Sequence, residues 1–454
     1  MLPEKFKARM KEILKDEYDS FEAALTLGEA KKGLRVNTLK CSADDFDGCG
    51  GYALTPLSYV REGYLIESDA SGIGNTPDHH SGRIYVQDPG AMATAAAVTV
   101  EEGMWIADLC SAPGGKSTQL AALLGDTGFI LSNEYVPKRA KILLGNFERM
   151  GIRRGMVTSL DTAEIAKLFD SVFDVAVVDA PCSGEGMFRK DVPAIENWSE
   201  ENVQACSERQ IQILNNASGI VKVGGKLLYS TCTYSVEENE AVVDEFLRTH
   251  SDFVLSDVNA SLIPVTSDGI QLEGAFCKEL CKCRRFYPHK ADGEGQFIAL
   301  MTKISGSDGK ILYSDSAKSP SKDEIKIIED FFRENLTYRP EGKIIKHGEN
   351  LVLSSHGCPL PPRSVFSAGV LIGEIKGKIL IPSHQFFSAY GKLFKNQAEL
   401  DCDGAKKYLA GEEIDSNFGG SGFTAVCYNG SVIGGGKASG GKIKNHYPKG
   451  LRVR

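Results

Sequence analysis

Apolar positions along this chain change their period several times, and each change predicts a different kind of element. In the first 30 residues they recur at helical spacing (Phe6, Met10, Ile13, Leu14; then Phe21, Leu25, Leu27) among many charges, which predicts two short helices. Gly33 to Leu39 reads as a strand, and a Gly-rich stretch with further short strand-like pieces follows to about Asn75, so residues 1–80 are expected to form a small α+β module. From Tyr85 strand-like runs alternate with helical ones, the pattern of an α/β domain with a mainly parallel sheet, assigned to residues 81–305. Its expected strands are 104–109, 129–133, 156–160, 173–178, 225–230 and 296–301; its expected helices are 116–124, 137–150 and 236–248, with Pro137 suited to a first turn. Residues 306–322, dominated by Gly, Ser, Asp, Lys and Pro, read as a linker. A helix over 324–335, carrying Ile325, Ile327, Ile328, Phe331 and Phe332, then opens an α+β domain over 323–386, and a compact β-rich module occupies 387–454.

Composition narrows this picture without redirecting it. At 454 residues the chain exceeds what one core usually supports, and 42% hydrophobic with 25% charged residues is ordinary for a globular protein. Neither a spanning apolar run nor the apolar core of a signal peptide is present, so a cytoplasmic protein without membrane attachment is expected. Twelve cysteines are too sparse for a disulfide scaffold. Cys277, Cys281 and Cys283 look like part of a metal site, but their spacing makes no pair of CxxC motifs and His289 stands alone, so no metal is expected. The net charge of −8 hides a local asymmetry: after Asp415 there is no acidic residue, while Lys437, Lys442, Lys444, Lys449, Arg452 and Arg454 follow, with His446 and Tyr447 interleaved. That stretch has the charge pattern of a surface for a phosphate backbone, with Lys444, His446 and Lys449 as candidate contacts.

The chemistry gathers at strand ends. The run Phe173 to Val178 delivers Asp179 and then Cys182, and the run ending at Ser230 delivers Cys232, so two thiols and a carboxylate can converge at the edge of one sheet where ligands collect. The turn Cys110-Ser111-Ala112-Pro113-Gly114-Gly115-Lys116 lies between a strand and a helix, where backbone amides receive a ligand. A Walker loop fits the end of this turn, Gly115-Lys116-Ser117, but Cys110 takes the place of its first glycine, which weakens an ATPase reading. GxGxxG is also absent. Acids ending successive strands, Glu134, Asp161 and Asp179, suit an adenosyl ligand without phosphates, of which S-adenosylmethionine is one.

Four segments make the resemblance specific. DLCSAPGGK (108–116), DAPCSG (179–184), STCTY (230–234) and RFYPHKADGEGQF (285–297) closely resemble the NOP2/Sun family of RNA cytosine-5 methyltransferases, and the remainder resembles the bacterial subgroup that acts on 16S ribosomal RNA. The resemblance implies a class I, Rossmann-like core with a seven-stranded sheet, an N-terminal RNA-binding module and a C-terminal PUA-like module. It implies that residues 110–116, Glu134, Asp161 and Asp179 contact S-adenosylmethionine and that Cys232 is the nucleophile. On this footing Cys182 assists elimination, Asp179 donates a proton toward the base, Lys116 orders the pocket, and Arg189, Lys190, Arg284 and Arg285 hold RNA phosphates at its rim. The expected partner is RNA of the small ribosomal subunit, with transfer RNA as the alternative substrate, and the expected state is a monomer. An ATPase and a non-catalytic RNA-binding assembly factor are the rival classes.

Overall fold

The computed structural model describes residues 2–44, 46, 51–415 and 420–453. A sheet built mainly from residues 105–303 lies at its centre. Its principal strands are β1 (Trp105–Asp108), β2 (Phe129–Asn133), β3 (Gly155–Thr158), β4 (Phe173–Asp179), β5 (Val221–Thr231) and β6 (Gln296–Lys303). They lie in the order β3, β2, β1, β4, β5, all parallel, with β6 antiparallel beside β5. Chain order reverses between β1 and β4, so a crevice opens above their carboxyl ends.

Helices α1 (Gly115–Leu124), α2 (Pro137–Met150), α3 (Glu200–Ser218) and α4 (Glu240–Thr249) are the longer helices of this domain. Alternation along β4 sends Val175 and Val177 to one apolar core, with Leu120 and Leu143, and Ala176 and Val178 to the other, with Leu214 and Phe246. Burial on both faces explains why the strand reads as a continuous apolar run. The sheet has ten strands among the described residues rather than the expected seven. Phe253–Ser256 and Arg284–Phe286 pair with β6, Ser267–Asp268 extends that edge, and Val365–Ser367, from far along the chain, pairs with β3. Helix α3, which the pattern reading passed over, is the crossover that two parallel strands require.

Two module boundaries differ from expectation. Strand Ile84–Gln87 pairs with Lys32–Val36 in the N-terminal four-stranded sheet, so that module runs past residue 80. The boundary at 387 falls inside a helix, His384–Tyr390, whose Phe386 and Phe387 share one apolar cluster with Phe331, Phe332, Phe423 and Val432. The last two modules are therefore welded together. The linker is docked as well: Lys310–Ile311 pairs with Phe169–Asp170, and Ser316 bonds the Leu360 and Pro361 carbonyls. The first two helices, Glu4–Leu14 and Tyr18–Thr26, turn Phe6 and Phe21 against Phe188, Trp198, Tyr234 and Tyr287 of the central domain.

Candidate active site

The turn after β1 is held from several sides. Asp108, fully buried at the end of β1, accepts from the Ser117 hydroxyl and from the Cys110 amide at 3.4 Å. Burial pushes its carboxyl up to about 6, against the Ser117 hydrogen bond that favours the charge. Arg139 and Asn146 of α2 donate to the Ala112 and Pro113 carbonyls at 2.9 and 2.8 Å. Gly114 has φ +113°, a backbone conformation that favours glycine, and opens α1. Ser111 turns its hydroxyl inward onto the Asp108 carbonyl at 2.7 Å. Its side chain is thus engaged within the turn itself.

Glu134 ends β2 as a buried carboxylate, accepting from the Val136 amide at 2.9 Å and facing Arg139 at 3.3 Å. Each oxygen keeps a further lone pair for a ribose hydroxyl. Asp161 follows β3, is exposed, and caps the helix Thr162–Ala166 through the Ala163 amide at 2.8 Å. Asp179 ends β4. Lys116, the cation of the turn, is not free for a triphosphate, because its Nζ donates to Asp179 Oδ2 at 2.7 Å. Carboxylates along adjacent strand ends and a lysine already neutralised fit an adenosyl group bearing hydroxyls and a sulfonium charge better than they fit phosphates.

The two thiols meet. Cys182 lies just beyond β4 and Cys232 just beyond β5, and their sulfurs are 3.3 Å apart. Hydrogen bonding with Cys232, and then burial, raise the Cys182 thiol well above its ordinary range, which favours its protonated form; either sulfur can donate in the contact between them. Burial works against the Lys116 ammonium, but the attraction and hydrogen bond of Asp179, with a smaller contribution from Cys232, raise it overall. Asp179 Oδ1 also accepts from Ser230, its register partner in β5, at 2.8 Å, and meets Gln296 at 3.5 Å. Three donors converge on one carboxyl, so Asp179 acts as an acceptor here and is paired with Lys116.

Sequence reasoning missed the residue that joins the two cysteine loops. Glu238 is fully buried and accepts from the Ser183 amide at 2.9 Å and from the Ser183 hydroxyl, while Gln210 of α3 donates to it at 2.9 Å. Ser183 also bonds Thr233 at 2.9 Å, so one carboxylate ties the residue after Cys182 to the residue after Cys232. Burial pushes Glu238 up to about 7, opposed by the Ser183 hydrogen bonds. The signal was present in Val236-Glu237-Glu238-Asn239-Glu240, an acidic run directly after the second cysteine motif.

The rim arginines are corrected. Arg285 is buried, paired with Glu240 and donating to the Tyr234 carbonyl at 2.8 Å. Arg284 is taken up by Asp268 and Thr266. Arg189 is buried against Glu294 at 2.8 Å and the Gly293 carbonyl at 2.8 Å, and Lys190 pairs with Asp88 at 2.8 Å and Glu294 at 3.3 Å. The three arginine side chains are withdrawn into these pairs, whereas Lys190 is paired but exposed. At the other end of the chain Lys444 and Lys449 are exposed and His446 is half-buried, while Tyr447 is buried with its hydroxyl 2.7 Å from His80; Arg454 lies outside the described residues. Cys283 is buried and Cys281 exposed, and no group of three or more metal-ligating side chains occurs among the described residues.

The chain is similar to known proteins along most of its length. Family models match three parts of the chain: 16S rRNA methyltransferase RsmB/F over residues 95–302, the N-terminal domain of 16S rRNA methyltransferase RsmF over 2–89, and the methyltransferase RsmF PUA domain over 395–453. Ribosomal RNA small subunit methyltransferase F of Vibrio vulnificus (strain YJ016) is 32% identical over 99% of this chain and 97% of its own length. The protein of that name from Vibrio cholerae serotype O1 (strain M66-2) is 30% identical over the same shares. Among solved structures, a methyltransferase homologue protein from Pyrococcus horikoshii is 25% identical, matching 66% of this chain and 95% of that one with a TM-score of 0.58. NSun6 from the same organism, 21% identical over 67% of this chain and 99% of that one at a TM-score of 0.56, shares the fold. With the paired thiols, the acid-lined crevice and the terminal modules all in place, the chain belongs to the ribosomal RNA small subunit methyltransferase F family, S-adenosylmethionine-dependent enzymes.

Proposed function

We propose that this protein transfers a methyl group to carbon 5 of a cytidine in 16S rRNA of the small ribosomal subunit, by way of a covalent bond from Cys232 to carbon 6. The observation that carries this reading is the 3.3 Å approach of Cys182 and Cys232 beside the Lys116–Asp179 pair. S-adenosylmethionine supplies the electrophilic methyl when bound. Glu134 takes the ribose hydroxyls, residues 110–116 and the start of α1 take the rest of the ligand, and Asp161 stands beside the adenine.

Carbon 5 of cytosine is a poor nucleophile until a thiolate adds to carbon 6. Cys232 is suited to that addition because its sulfur lies 3.3 Å from the Cys182 sulfur and within the field of the Lys116 ammonium. As charge builds at ring nitrogen 3, the Lys116–Asp179 pair supplies a proton, and Ser230 and Gln296 hold the carboxylate in place. After transfer, a water oriented by the Cys182 thiol takes the carbon 5 proton, and Cys232 leaves as the thiolate. The base must unstack to reach this crevice. The arrangement is complete within one chain, which supports action as a monomer, and no helix among the described residues is long and apolar enough to cross a membrane.

Bisulfite mapping of ribosomal RNA from cells with and without the gene tests this reading; a methylated cytidine should vanish from 16S rRNA on deletion. Stabilisation by ATP and magnesium with none by S-adenosylhomocysteine would overturn it in favour of an ATPase.

A further inference from the structure

Beside the loops that lead into the amino ends of β2 and β3, a cavity of about 200 Å³ opens where three modules meet. Lys40 enters from the N-terminal module, Asp126 and Arg153 from the loops leading into β2 and β3, and Lys392 from the turn after the helix His384–Tyr390. Lys40 is only 7% exposed. Its ammonium donates to the Ser388 carbonyl and, at 3.3 Å, to the Ser388 hydroxyl, and among the described residues it has no carboxylate partner. Arg153 donates to the Ala389 carbonyl at 2.8 Å and pairs with Asp126, itself 59% exposed, at 2.8 Å. Lys392 makes a single 3.4 Å contact with the Lys40 carbonyl.

Three cations thus face one void with one solvated carboxylate between them. Burying an ammonium without a counter-charge is costly, and here two further cations add repulsion. Burial, then Arg153 and Lys392, press Lys40 down to about 7. An anion in the void would remove that penalty at a stroke, since Lys40 and Lys392 have donors to spare and a guanidinium matches an oxyanion's geometry.

We propose that this cavity is a phosphate-binding site in which Lys40, Arg153 and Lys392 grip one phosphate group and so lock the N-terminal, catalytic and C-terminal modules together. The group is either a backbone phosphate of RNA or a free phosphate. Both present the same oxyanion.

The test is thermal unfolding of the full chain in potassium phosphate against potassium chloride of equal ionic strength. Wild type should gain a saturable stabilisation specific to phosphate. Lys392→Ala, a change at an exposed side chain, should lose most of it, as should Lys40→Met. Should Lys40→Met fail to fold, Lys392→Ala decides. Phosphate acting no differently from chloride on wild type, or an undiminished effect in Lys392→Ala, overturns the proposal. The source is then read from RNA: competition between inorganic phosphate and a 16S rRNA fragment, with affinity about fivefold weaker in Lys392→Ala at low salt, assigns a backbone phosphate. Unchanged RNA affinity alongside a lost phosphate effect assigns a free one.

Discussion

Cys182 and Cys232 stand 3.3 Å apart on loops that leave neighbouring parallel strands, and the hydrogen bond between them, with burial, raises the thiol of Cys182. That asymmetry predicts failure at different steps. Cys232→Ala should bind RNA and S-adenosylhomocysteine but form no adduct. Cys182→Ala should methylate and then stall with RNA attached through Cys232, giving a band that survives denaturing electrophoresis; the double variant should show none. An adduct in Cys232→Ala alone would exchange the two roles.

Asp179→Asn keeps the shape of the side chain and removes the charge that holds Lys116. Turnover should fall by about 10²-fold or more in single-turnover assays, as for loss of an electrostatic group at a reacting centre. Urea unfolding should show a loss of about 3 kcal/mol, because a largely buried ammonium is left without its partner. Activity near wild type would remove the Lys116–Asp179 pair from the chemistry.

Glu238→Gln separates positioning from chemistry. The folded-state pKa of Glu238, about 7, lies above its ordinary 4.5, so between those values the folded chain keeps a proton that the unfolded chain has lost. Its contribution to stability is therefore best at the acid end of that window and is lost as pH rises through about 7. The variant lacks this titration. Relative to Glu238→Gln, wild type should lose roughly 2 kcal/mol between pH 5 and pH 8 in urea unfolding. Weakened adduct formation with an unchanged cofactor affinity would accompany it, since the carboxylate touches the cysteine loops and not the turn after β1.

Cutting the chain at 387 would sever the helix His384–Tyr390 and bare Phe331 and Phe332, so it is a poor test of RNA binding. Neutralising exposed charge is a better one. Lys444→Gln with Lys449→Gln should leave the unfolding midpoint within about 2 °C, weaken RNA binding, and flatten the slope of log affinity against log salt by about 1.4 if two phosphates are lost. An unchanged slope would assign these lysines to solubility.

Most of the central domain was legible because strands buried on both faces read as apolar runs: β2 and α2 occupy the residues expected of them, and β4 differs by one. The cysteines, Asp179 and the turn at 110–116 were legible for a related reason, as short polar motifs attached to those runs. Helix α3 escaped because Val203, Cys206, Ile213 and Leu214 are diluted by Glu, Gln and Asn on its outer face. The rim arginines misled because sequence shows a cation but not its partner: Glu240 for Arg285 and Glu294 for Arg189 become neighbours only in the folded chain. Glu238 was hidden by the same non-locality, 55 residues from the Ser183 it holds.

The first two helices have a consequence for how the protein is made. Phe6 and Phe21 find their apolar partners at Phe188, Trp198, Tyr234 and Tyr287, and Phe21 meets the ring of Tyr234 edge-on at 5.0 Å. A nascent chain emerging at about 5–20 residues per second would therefore carry these helices, amphipathic and too short to be stable alone, for roughly 15–60 seconds before Tyr287 is synthesised. Docking of these helices against their full set of partners must follow the synthesis of Tyr287. Because Tyr234 sits two residues after Cys232, the loop that carries Cys232 acquires its final support only when these helices return to it.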